Sequence, residues 1–96
     1  MEIHVYGKKG CGLCKSAKKK AEVLLKKWDK AEDHPVKLID METVHGAAEG
    51  DFFDVFDVPS VFVMEDEWTV ARRWDGQAPP GNELYSVLNE GSGDGN

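Results

Sequence analysis

Apolar and polar residues alternate first at Ile3 and Val5, a short strand that Gly7 ends. The period then lengthens. Leu13, Ala17, Ala21, Leu24 and Trp28 follow one another in steps of four, four, three and four, with lysines mostly between them. That spacing predicts a helix from about Gly12 to Asp29, its apolar stripe widened by Val23 and Leu25. Residues 31–35 read as a connection, and Val36–Asp40 as a second strand. A helix of this length between two strands is a crossover, so the pair should be parallel.

Beyond residue 42 the pattern is weaker. Ala47, Ala48, Phe52, Val55 and Phe56 fit one helical face, and a short helix is expected from about Ala47 to Phe56, with Gly46 and Gly50 weakening its start. Val58-Pro59 breaks it. Ser60–Met64 is a nearly continuous apolar run of β-prone residues, and Glu65-Asp66-Glu67 an acidic turn. Trp68 to Trp74 then alternates as an antiparallel partner strand, stopped by Asp75-Gly76. Pro79-Pro80-Gly81-Asn82 leads into a last helix carrying Leu84, Tyr85, Val87 and Leu88. Residues 91–96 have nothing to bury, so one domain is expected over 1–90 with a disordered tail after it. No internal repeat is present. The order β-α-β-α-β-β-α makes this an α/β chain, with a four-stranded mixed sheet and helices on both faces.

Charge changes this picture more by its distribution than by its total of −6. Residues 1–37 hold ten Lys and five acids, net +5; residues 38–96 hold two Arg and thirteen acids, net −11. The total argues against nucleic acid as a partner. No run reaches membrane-spanning length, and Met1-Glu2 does not open a signal peptide. A cytoplasmic monomer is the expectation.

Both cysteines lie in Cys11-Gly12-Leu13-Cys14, between the first strand and the first helix. Two thiols three residues apart at a helix start share one face and can close a disulfide, and the helix dipole favours a thiolate on the first. Lys8, Lys9 and Lys15 add positive charge nearby. In a reducing compartment such a pair points to exchange chemistry or metal binding before a permanent staple. Dithiol exchange ranks first. The alternative is a soft-metal carrier for Cu(I), or an iron–sulfur cluster protein, using the same sulfurs. A mononuclear zinc site needs two further ligands, and His4, His34 and His45 are poorly placed to supply them.

With Val58-Pro59 set before the third strand as well, the chain resembles the thioredoxin fold over about residues 2–90. Its short N-terminus is similar to the glutaredoxin branch. The resemblance implies a thiol–disulfide oxidoreductase with no cofactor or metal. It also implies that Cys11 is the exposed nucleophile, Cys14 the resolving thiol and Pro59 a cis residue facing the sulfurs. Val58 would offer its backbone to an extended substrate, and Lys8 would stand near the thiolate. The partners implied are a protein disulfide and, as electron donor, a reductase or a small thiol. The resemblance stops short of a dedicated glutathione site: Val58 stands where a threonine is usual, and Gly76-Gln77-Ala78 where acidic residues follow a glycine. Gly10 replaces the tryptophan that precedes the motif in thioredoxins, and Val5 their buried acid.

Other conspicuous residues have plainer readings. Trp28, Trp68 and Trp74 are expected to pack, and His4 to be a satisfied strand histidine. Arg72-Arg73 reads equally as strand-edge solvation or as the flank of a partner surface.

Overall fold

The computed structural model describes residues 1–93, with side chains through Asn89. The elements are β1 (Glu2–Gly7), α1 (Gly12–Lys27), β2 (Val36–Asp40), α2 (Val44–Phe52), β3 (Ser60–Met64), β4 (Val70–Trp74) and α3 (Gly81–Gly93). Their order is the one the sequence pattern predicts. The sheet runs β2-β1-β3-β4, with β1 parallel to β2 and antiparallel to β3, and β3 antiparallel to β4.

Both faces of the two central strands are covered, which is why β3 reads as an unbroken apolar run. Ile3, Val5, Val61 and Val63 point to one face, where Ala17, Ala21 and Leu25 of α1 and Leu84 and Leu88 of α3 close over them. Tyr6, Phe62 and Met64 point to the other, with Val55, Phe53 and Met41. Burying one side chain of this size contributes roughly 1.5–3 kcal/mol, so the two clusters hold the sheet from both sides. Tyr6 donates its hydroxyl to Glu49 at 3.2 Å, and burial, then the Glu49 charge, pushes its phenol above the ordinary range.

Boundaries differ from expectation in three places. Helix α1 ends at Lys27, because Asp29 takes a left-handed conformation (φ 58°) and Lys30 N–H returns to Leu25 C=O at 2.8 Å. Helix α2 starts three residues earlier than expected and ends four earlier (Val44–Phe52 against 47–56). Thr43 caps it by accepting from Gly46 N–H at 2.9 Å, and Asp54 (φ 55°) with the Val55 N–H to Gly50 C=O bond closes it. Both ends are the same left-handed motif, built on Asp where Gly is the usual choice. Strand β4 begins at Val70, not Trp68, because Asp66 draws the N–H groups of Trp68 and Thr69 into the turn.

Gly46 and Gly50 are buried contact positions rather than weak points. A Cβ at 46 would run into the Asp40 carbonyl, and one at 50 would stand 2.6 Å from the Met41 sulfur. The backbone of α3 is helical through Gly93; the rest of the expected tail, 94–96, lies outside the described residues.

Candidate functional site

The sheet and α1 bring the Cys pair and Val58-Pro59 to one end of the molecule. Strand β1 finishes at Gly7, a turn through Gly10 (φ 79°) follows, and Cys11 is the N-cap of α1. Cys11 N–H donates to Lys8 C=O at 3.2 Å, and Lys15 N–H donates to Cys11 C=O at 3.3 Å. The position of Cys11 is therefore fixed by backbone bonds on both sides. Cys11 and Cys14 are joined as a disulfide, with Cα atoms 5.3 Å apart. Cys14 N–H donates to Cys11 Sγ at 3.1 Å, the place of a capping oxygen. A helix N-terminus with free amide groups is a site that favours negative charge.

The two sulfurs are unequal in access. Cys11 is half-buried, whereas Cys14 is 1% exposed and packs on Gly7. Among the described residues the only hydrogen bond to either sulfur comes from Cys14 N–H. Val5 fills its strand position with a fully buried apolar side chain.

Val58-Pro59 is cis, with Pro59 buried and Val58 half-buried. Register places it: Ser60 pairs with Tyr6, so Pro59 stands one residue further, level with Gly7, which touches Cys14. Two side chains hold the loop that carries it. Arg73 of β4 donates to the carbonyls of Phe53 (2.7 Å) and Asp54 (3.2 Å), pairs with Asp75 at 2.7 Å, and lies over the Phe62 ring at 4.3 Å. Ser60, fully buried, donates to Asp57 C=O at 2.6 Å and accepts from Gly76 N–H at 3.3 Å. Arg73 thus braces the loop from the edge strand through four contacts, a role that its sequence reading as strand-edge solvation or partner flank does not contain.

The segments that carry the sulfurs and the cis-proline expose apolar side chains and charges of both signs. Leu13, between the cysteines, is 72% exposed, and Phe56, before Val58, is 86% exposed. Lys8, Lys9 and Lys15 are exposed on the α1 side; Asp54, Asp57 and Asp75 stand on the side of the cis-proline loop.

The other singled-out residues fall elsewhere. Trp74 is core, its indole N–H given to Glu83 at 2.8 Å, and Trp28 packs edge-on against Tyr85 at 4.9 Å. Trp68 packs edge-on against Phe52, ring centroids 5.3 Å apart, yet stays 67% exposed. His4 bonds Glu2 through Nε2 at 2.9 Å, but its buried Nδ1 has no partner among the described residues, so it is only half satisfied there. A groove of about 930 Å³, lined by Glu2, His4, Phe52, Met64 and Trp68 among others, lies at the opposite end of the sheet from the disulfide. Among the described residues no group of three or more His, Cys, Asp or Glu is gathered as for a metal ion, and no helix is long and apolar enough to cross a membrane.

No protein-family model matches the chain, and no curated protein matches it in sequence. Solved structures do match in fold. Thioredoxin 1 from Thermosipho africanus superposes with a TM-score of 0.68 at 20% identity, over 94% of this chain and 92% of that one. Thioredoxin-2 of the malaria parasite gives 0.70 at 17% identity, over 93% and 81%. Oxidised mitochondrial thioredoxin 3 from Saccharomyces cerevisiae gives 0.68 at 15% identity, over 92% and 76%. The chain has the thioredoxin fold.

Proposed function

We propose that this protein is a thiol–disulfide oxidoreductase that reduces protein disulfides through Cys11 and Cys14. The observation that carries the reading is the pairing of an accessible N-cap sulfur with a buried one beside a cis-proline loop. A Cys11 thiolate attacks one sulfur of the substrate, the substrate S–S bond breaks, and the leaving thiolate takes a proton from solvent. Cys14, as thiolate, then attacks Cys11 Sγ in the mixed disulfide. The Cys11–Cys14 bridge forms, and the second substrate thiolate departs. Two electrons and two protons have moved to the substrate. A reductase or a small thiol must return them to the bridge.

Lys8 serves the thiolate through charge, and its carbonyl fixes the Cys11 amide. Val58 and Pro59 form the wall against which the substrate chain lies, with Leu13 and Phe56 as apolar contacts. The protein works as a monomer in a reducing cytoplasm, where a dithiol of this kind stays available. The unequal access of the two sulfurs, one at the helix N-cap and one buried beneath it, favours exchange over carriage of a soft metal, which needs the sulfurs alone.

The test is a redox titration of metal-free protein in thiol–disulfide buffers, with each cysteine scored by alkylation. A reversible two-electron transition between about −270 and −180 mV is expected. Cys11→Ser should abolish exchange, and Cys14→Ser should accumulate a mixed disulfide with its partner. If no intramolecular bridge forms at accessible potentials, the mechanism fails and metal binding becomes the reading to pursue.

A further inference from the structure

Helix α1 carries a second feature that its redox role does not require. Its buried side is Cys14, Ala17, Ala21 and Leu25, so the opposite side faces outwards with Lys15, Lys19, Lys26 and Lys27, all exposed. Among the described residues the only ion pair α1 makes is Lys18 with Glu22; these four lysines pair with no carboxylate. Lys8 and Lys9 continue the same charge across the turn to Cys11. Unpaired like charges repel one another along a helix, so the arrangement is mildly unfavourable in the free protein.

These lysines are not all there for the thiolate. A helix rises 1.5 Å per residue, which puts Lys19 about 12 Å and Lys26 about 22 Å along the axis from Cys11. At physiological ionic strength the screening length is about 8 Å, so neither acts strongly on that sulfur through water. A macromolecule lying along α1 meets them directly. Extended polyanions fit poorly, because residues 38–96 carry net −11 and repel anything that wraps further round the molecule. A local acidic patch fits.

We propose, resting on the thiol–disulfide reading above, that the outer face of α1 is the docking surface for the protein whose disulfide is reduced. That partner presents acidic residues beside its disulfide. They lie over Lys15, Lys19 and Lys26, while the sulfurs meet Cys11 at the helix start. Asp54 and Asp57 on the far side of the site, exposed and in no ion pair among the described residues, keep the positive potential one-sided, so approach is directed as well as attractive.

The experiment compares three synthetic peptides with the same intramolecular disulfide, flanked by glutamates, serines or lysines, reduced by the dithiol protein. Hydroxyethyl disulfide serves as a small neutral control. The glutamate peptide should be reduced about tenfold faster than the lysine peptide at low salt, with the ratio collapsing toward one near 0.5 M salt, as for electrostatically steered encounters. Lys19→Glu/Lys26→Glu should erase or invert that ratio while leaving the rate with hydroxyethyl disulfide unchanged. The neutral pair Lys19→Gln/Lys26→Gln should fall between, which separates charge from any folding defect. Equal rates for the three peptides, or preference for the lysine peptide, overturn the docking surface while leaving the proposed activity standing. Loss of reduction of hydroxyethyl disulfide by the unmodified protein removes the activity and this inference with it. Salt-sensitive self-association in sedimentation would assign the face to a second copy of the chain and likewise overturn the proposal.

Discussion

Gly7 and Cys14 are packed so closely that a Cβ on Gly7 would stand 2.8 Å from Cys14 Cβ and 3.0 Å from its sulfur. The end of β1 therefore sets how Cys14 is seated beneath the start of α1. Both partners are buried, and neither is the flexible tip of a long side chain.

Gly7→Ala is accordingly expected to push Cys14 outwards from its seat. Overpacking a filled site costs about 1–3 kcal/mol, and part of it should appear in the dithiol–disulfide equilibrium as poorer alignment of the two sulfurs. The bridge should then be reduced at a less negative potential, with about 30 mV corresponding to 1.4 kcal/mol. Alkylation-scored titration beside the unmodified protein measures it. An unchanged potential with unchanged stability would show that the contact relaxes freely.

Arg73→Ala should loosen the loop that carries Val58-Pro59. It removes charged donors from the Phe53 and Asp54 carbonyls and exposes the Phe62 ring. A stability loss of about 1–3 kcal/mol in urea unfolding is expected. The KM for a peptide disulfide should rise while reduction of hydroxyethyl disulfide is little affected. Arg73→Lys should not rescue it, since one ammonium cannot span two carbonyls and Asp75 as the planar guanidinium does.

Gly46→Ala sets two rules against each other. Helix propensity alone makes alanine better than glycine by about 1 kcal/mol. The Asp40 carbonyl, a backbone atom with little freedom to move, occupies the space that the new methyl needs. Destabilisation by about 1–3 kcal/mol is therefore expected. A stabilised variant in thermal or urea unfolding would mean that α2 can shift away from β2.

What the chain discloses before folding follows from range. The periods of β1, α1 and β3 are set by which faces are covered, so they are visible in local spacing, and so is the Cys11–Cys14 pair at the junction. Val58-Pro59 is legible because proline marks its own place. The existence of helix α2 is legible but its start is not, because Gly46 and Gly50 look like helix breakers until Asp40 and Met41 are seen against them. Arg73 is likewise silent: in sequence it is one polar position of an alternating strand, and its partners lie 19 and 20 residues away. Trp68 misleads through Asp66, whose turn ends the alternation before the strand begins.

His34 gives the fold a pH dependence. It is buried, with Nδ1 at 3.2 Å from Met1 C=O, and burial holds its imidazole below the ordinary value of 6.5. The unfolded chain binds that proton first as pH falls, so this group's contribution is complete above about pH 6.5 and is lost through the window below it. Urea midpoints between pH 5 and 7.5 should decline toward acid, and less steeply in His34→Leu. Parallel profiles for the two proteins would assign the decline to other groups.

The burial of Cys14 directly beneath a more accessible Cys11 has a consequence for oxidative damage. Peroxide reaching the reduced protein meets Cys11 first and leaves a sulfenic acid there, with Cys14 already in position to displace water and close the bridge. The next rung, irreversible sulfinic acid, is bypassed as long as the second sulfur is present. Peroxide-treated protein should therefore return fully to the dithiol with a reducing agent, while the Cys14→Ser form should accumulate sulfinic acid on Cys11, read by mass spectrometry, that the reducing agent does not reverse. The sulfur that solvent scarcely reaches is the one that keeps the other repairable.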